Sequence, residues 1–307
     1  MAISAKDVME LRKQTDCGMM ECKAALTEAN GDFAKAIELL REKGLATASK
    51  KAGRIAAEGM VYAVNFADKK IAVALEVNAE TDFVAKNEKF VDFVHELAAV
   101  IAAEKPADVE ALLACKMGEG TVDDALKGLI LVIKENIKVR RFVVYEGYCS
   151  AYVHGGGSHA VVVKFDTTAE VAAKPEFEVF GKDIAMQVAA SVPAYLNRNE
   201  VPAETLEKEK EIVLAQMAND PKTANKPDAI KEKMVVGRVA KYYKEACLMD
   251  QAFIKDGNID ITKYVADTAK ALGGDIKVVA FTHYTKGEGL EKRCDDFAAE
   301  VAAAVKG

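Results

Sequence analysis

Two stretches of the chain carry one pattern. Moved by 88 residues, as from Glu58 to Glu146, the first falls on the second without a gap. Glu58-Gly59 meets Glu146-Gly147, Ala63 meets Ala151, and Ala72-Val73 meets Ala160-Val161. Lys86, Glu88 and Val100 meet Lys174, Glu176 and Val188. Apolar alternation alone would not keep Gly, Lys and Glu in step. A later match has a larger offset, 139, with Ile137, Lys138, Val139, Phe142 and Tyr145 against Ile276, Lys277, Val278, Phe281 and Tyr284. The growth of the offset places an insertion inside the second copy. Within the first copy, residues 60–66 and 71–77 have strand-like period-2 patterning around an Asp68-Lys69-Lys70 turn. Phe90, Phe93, Val94, Leu97, Val100 and Ile101 share one face of a helix. A polar, partly helical stretch then leads to a third strand over 137–145. Two copies of hairpin, helix and returning strand predict an α+β fold of two related antiparallel units.

Ahead of the repeat, three short helices are expected. Ser4 can cap the first, which carries Val8 and Leu11 to Thr15. Gly18 separates it from a second with Met19, Met20, Ala24, Ala25 and Leu26, stopped by Gly31. Asp32 can cap a third with Phe33, Ala36, Ile37 and Leu40, expected to end at Gly44, and residues 46–54 read as a basic linker. The insertion reads as two antiparallel helices, 202–218 and 227–248, broken at Asn219-Asp220-Pro221. Their expected seam sets Leu206, Ile212, Val213 and Met217 against Ile230, Met234, Val235 and Val239. The expected divisions are therefore 1–54, a helical unit with its linker; 55–145, the first α+β unit; 146–200 with 250–307, the second; and 201–249, the inserted hairpin.

Composition narrows the function. The chain of 307 residues has 42 basic and 48 acidic side chains, a net charge of −6, so a strongly basic nucleic-acid groove is not expected. Four His and no C-x-x-C pair give no metal centre and no nucleophilic triad. No catalytic constellation is visible, so the chain is expected not to be an enzyme, and no cofactor is expected. Cys17, Cys22, Cys115, Cys149, Cys247 and Cys294 read as reduced, mostly buried thiols of a cytosolic protein. The N-terminus has no apolar signal core and no run reaches the roughly 20 apolar residues of a membrane span, so a cytoplasmic location is expected.

His154-Gly155-Gly156-Gly157-Ser158-His159 is the richest glycine cluster. A phosphate-binding loop would run on into a helix through G-K-[ST]; this one runs into Ala160-Val161-Val162-Val163, so a hairpin turn is expected. The segment from Glu80 to Lys86 admits two readings. Thr81 or Asp82 could cap the following helix with Phe83 as its staple. Alternatively, Asp82 and Phe83 form an acidic residue beside an aromatic wedge offered to a partner. The second copy has Thr168-Ala169-Glu170-Val171 there, so the fold itself does not demand the Phe.

Glu80-Thr81-Asp82-Phe83-Val84-Ala85-Lys86 resembles the most characteristic string of the elongation factor Ts family. The likeness extends over Leu11-Arg12, Thr15, Gly18-Met19-Met20 and Cys22-Lys23-Ala24-Ala25-Leu26, then Tyr152-Val153-His154, then Gly237-Arg238 and Lys241-Tyr242-Tyr243. Asp16-Cys17, Ser158-His159-Ala160 and Ala252 depart from the family pattern. The resemblance implies an N-terminal three-helix domain of ubiquitin-associated (UBA-like) type, two pseudo-repeated subdomains and a coiled-coil hairpin. It implies a guanine nucleotide exchange factor for the GTPase elongation factor Tu, promoting GDP release so that GTP can rebind during translation elongation. In that role Thr81, Asp82, Phe83 and Val84 would intrude near the Mg²⁺ site of the GTPase, Leu11, Met19 and Met20 would touch its nucleotide domain, and His154 would face another domain. No direct nucleic-acid or membrane contact is implied, and a homodimer of such complexes stays open. A start at Met1 without a transit peptide points to a bacterial cytoplasm. The alternative is a binding scaffold, with the helical unit as the docking module and the α+β repeat as a dimerisation platform.

Overall fold

The computed structural model describes residues 3–224 and 226–291. Three helices come first: α1 (Ala5–Thr15), α2 (Met19–Glu28) and α3 (Phe33–Lys51). Then follow β1 (Glu58–Phe66), β2 (Ile71–Ala79), α4 (Glu88–Glu104), α5 (Val109–Ala114), the short pair β3 (Lys116–Met117) and β4 (Gly120–Thr121), α6 (Val122–Ile133) and β5 (Lys138–Glu146). The second copy has β6 (Tyr148–His154), β7 (His159–Thr167), α7 (Ala169–Ala172) and α8 (Pro175–Ser191). The insertion consists of α9 (Ala203–Asn219), the single turn α10 (Pro221–Ala224) and α11 (Asp228–Ala246). The chain returns through β8 (Ala252–Phe253), β9 (Asp256–Asp260), α12 (Ile261–Leu272) and β10 (Ile276–Thr285).

The fold is α+β, with two three-stranded antiparallel sheets of equivalent order, β1-β2-β5 and β6-β7-β10. The repeat extends beyond the residues that revealed it. α6 and α12 occupy equivalent places at the offset of 139, each with a left-handed C-cap, Lys134 and Gly273. The two sheets lie face to face across a layer of small residues, Val61, Ala63, Ala72, Ala74, Cys149, Ala160 and Val162. α4 covers the outer face of the first sheet with Phe90, Val94, Leu97 and Ile101. α8 covers the second with Phe177, Phe180, Ile184 and Val188. This makes a helix–sheet–sheet–helix stack. β2 is therefore covered on both faces, and all nine of its residues are buried.

Local chemistry explains the helical unit. Ser4 and Asp7 form a reciprocal capping box, and the Asp32 carboxylate accepts the Lys35 N–H at 3.1 Å. Two expectations need correction. α3 does not end at Gly44, and most of the expected linker is helix, up to Lys51. A single glycine weakens a helix by about 1 kcal/mol but does not stop it. Gly44 is buried where α3 meets α6, and a Cβ there would lie 3.3 Å from the Lys127 carbonyl oxygen. Leu131 of α6 joins the core of the helical unit. The expected seam of the inserted hairpin is also thinner than proposed: Val213 and Met217 are buried, whereas Ile212 and Ile230 are exposed. Cys17, Cys22, Cys149 and Cys247 are buried thiols and Cys115 is partly exposed. Cys294 and residues 292–307 of the expected second unit lie outside the described residues.

Candidate functional site

β2 ends at Ala79, and the chain must cross to α4. Glu80 and Thr81 are fastened on arrival. The Glu80 carboxylate accepts the Asn136 N–H at 2.6 Å, and Glu135 accepts both the N–H of Thr81 (2.9 Å) and its hydroxyl (2.6 Å). Asp82 and Phe83 then form an open turn. A 3₁₀ turn follows over Val84–Lys86, and Val84 drops into the core below. The two remaining residues stand out as a tip. Phe83 is 78% exposed, and the exposed Asp82 carboxylate has no ion-pair partner among the described residues.

The helix-cap reading of this segment is overturned. Asn87, not Thr81 or Asp82, caps α4, its side chain accepting the Lys89 N–H at 3.0 Å. Phe83 does not staple the helix, because its ring lies in solvent. An exposed Phe at the end of a two-residue projection gains nothing for folding.

Phe83 borders a hollow shared with the α1–α2 junction and the end of α6. Arg12, Cys17 and Gly18 line one side, Val132, Ile133 and Glu135 the other. Lys89 at the start of α4 reaches Asp16 at 3.1 Å, and Lys134 pairs with Glu21, so the helical unit is fastened beside the tip. Met19 and Met20 open α2 directly after Gly18 and are 50% and 75% exposed. The structure thus brings Phe83 and Gly18, the sequence neighbours of Asp82 and of Met19-Met20, to one hollow. Leu11 does not belong with them. It is fully buried in the three-helix core, so this expectation is corrected; its neighbour Arg12 lines the hollow instead. Val84 is likewise an anchor beneath the tip rather than a contact surface.

His154 stands elsewhere, exposed at the end of β6, with Nδ1 2.9 Å from the Tyr152 hydroxyl. None of its neighbours borders the Phe83 hollow. The following Gly155, Gly156 and Gly157 all have positive φ, which explains three glycines in a tight hairpin turn. The Gly157 carbonyl accepts the Val61 N–H at 2.9 Å, and a Cβ on Gly157 would lie 2.8 Å from Met60 Cβ. The turn therefore docks on β1. Among the described residues no three His, Cys, Asp or Glu side chains converge as a metal site, and no helix is long and apolar enough to cross a membrane.

Glu135 carries no periodic signal and stands between a helix and a strand, so the sequence alone did not single it out. Only the return of β5 alongside β2 shows that residues 80–81 and 135–136 are neighbours.

The family model described as "Elongation factor TS" matches residues 80–288. Elongation factor Ts of Clostridium botulinum (strain Eklund 17B / Type B) is 47% identical over 304 residues, covering 98% of this chain and 98% of its own. Elongation factor Ts of Clostridium perfringens (strain SM101 / Type A) has the same identity and coverage. That of Clostridium kluyveri (strain NBRC 12016) is 46% identical over 311 residues, with 99% of each chain covered.

Proposed function

The chain belongs to the elongation factor Ts family and has the role of a translation elongation factor, and from that premise we propose that it is the guanine nucleotide exchange factor of elongation factor Tu. Phe83 would wedge into the nucleotide domain of the GTPase, while Asp82 brings a carboxylate toward the Mg²⁺ and phosphate site. Met19 and Met20 would supply adjoining apolar contact, and His154 a separate contact from the second subdomain. The observation that carries this reading is the Phe83 tip, an exposed aromatic held between a fastened Thr81 and a buried Val84.

The energetics fit a shared task. GDP is held by Mg²⁺ and by N–H groups around its phosphates. A factor that prefers the empty GTPase weakens nucleotide binding by the same factor, by linkage. An acceleration of about 10⁴-fold corresponds to about 5.5 kcal/mol of barrier. Burying one Phe yields about 1.5–3 kcal/mol, so Phe83 can carry part of the effect and the methionine and second-subdomain contacts must carry the rest. No catalytic base is needed, because no covalent bond changes.

Release of a fluorescent GDP analogue from elongation factor Tu tests the proposal. Phe83→Ala is expected to slow factor-driven release by about tenfold to a hundredfold. Undiminished acceleration would remove the wedge from the mechanism.

A further inference from the structure

Residues 134–136, in the connection between α6 and β5, hold several of the elements around the tip. Lys134 ends α6 in the left-handed conformation (φ 69°), and its carbonyl accepts Lys51 Nζ of α3 at 2.5 Å. Its ammonium pairs with Glu21, whose carboxylate also accepts the Gly18 N–H at 3.1 Å, at the turn that presents Met19 and Met20. Glu135 takes both donors of Thr81. Asn136, 2% exposed, gives its N–H to Glu80 and its side-chain amide to the Arg54 carbonyl at 2.7 Å. Three consecutive residues thus grip the helical unit, the root of the Phe83 tip and the approach to β1.

We propose that Glu135 is a positioning residue for nucleotide release: its two bonds to Thr81 hold Phe83 outward, in register with Met19 and Met20, before the GTPase arrives. The proposal rests on the exchange reading above. The tip has one apolar anchor, Val84, on its C-terminal side. On its N-terminal side the Glu80–Asn136 and Glu135–Thr81 bonds are the anchor, and only the latter act on the residue adjoining the tip. Without them Asp82 and Phe83 can turn about Thr81, and the dihedral freedom then has to be frozen during the release step itself. Small losses of positioning of this kind lower rates steeply. Glu135 is half-buried and touches no nucleotide or metal in this role.

Two measurements on the full chain decide it. The chain has no Trp, so Phe83→Trp makes a single reporter at the tip. Steady-state anisotropy of that Trp is expected to fall in Glu135→Ala and to fall less in Glu135→Gln, which keeps one acceptor oxygen. This reading needs no GTPase, and thermal unfolding of each variant checks that the fold is retained. In release of a fluorescent GDP analogue, Glu135→Ala is expected to lower the maximal rate about tenfold, with half-saturation within about twofold. In a Phe83→Ala background it should have no further effect, because it acts through the ring. Unchanged anisotropy overturns the proposal, as does an unchanged maximal rate, or an equal loss whether or not Phe83 is present. If the unmodified factor itself fails to speed release, the exchange reading falls, while the anisotropy still decides whether Glu135 holds the tip.

Discussion

His283 on β10 places Nε2 3.1 Å from Nδ1 of His159 on β7, with the rings stacked at 5.3 Å and 19°. A bond between two imidazoles needs one bare nitrogen, so the pair cannot keep it when both are charged. Burial, then the neighbouring His159, lowers the His283 pKa from its ordinary 6.5, with Arg141 adding to the shift and Glu288 opposing it. The folded state thus binds fewer protons than the unfolded chain below about pH 6.5, so this group's contribution to stability is intact above that pH and is lost as pH falls through the lowered value. Thermal unfolding between pH 7.5 and 5 is expected to show a steeper acid loss in the native protein than in His283→Asn; parallel curves would discount the pair. At this scale the sequence was a partial guide. Phe83 was legible as a candidate because the second copy lacks it, but only its exposure rules out the staple. Leu11 was misread because a family motif does not distinguish residues that shape a surface from those that form it.

Elements were more legible than their ends. The repeat located both hairpins, both long helices and the returning strands, because side-chain period and turn residues act locally. What failed was Gly44 as a terminator. Its meaning lies in α6, more than eighty residues away in the chain, and no local pattern carries that. Gly44→Leu is expected to force α3 off α6 and lower unfolding free energy by about 1–3 kcal/mol, read from the denaturant midpoint. A gain in stability would instead show that the helices separate freely and that only helix propensity is at stake. The inserted hairpin shows the same limit. Its two helices were readable from charge and proline breaks, while the depth of their seam depended on how they cross.

Across the whole molecule, the largely apolar layer between the sheets also holds Glu76, fully buried. Its carboxylate accepts from Arg140 (3.0 Å), Arg141 (2.6 Å), Asn78 (3.1 Å) and the Gly287 N–H (2.8 Å), drawing the segment after β10 onto the first sheet. Glu76→Gln leaves donors facing an amide and is expected to cost about 2–4 kcal/mol in a denaturant titration. A native-like midpoint would mean that the partly exposed arginines turn to water at little cost. The stack of layers was only half legible, because strand patterns do not say which face of a sheet meets a helix and which meets another sheet. The neck of the inserted hairpin is narrow. Ala194 and Tyr195 donate to the Ala246 carbonyl at 2.9 and 3.0 Å, and Leu248 donates to Tyr195 at 2.9 Å. Entry and exit are thus stitched side by side, as the two ends of a turn would be. For a gene this is a safe place to gain or lose length: a finger can be lengthened or trimmed there while both sheet units keep their layers, so reach can change without renegotiating the fold.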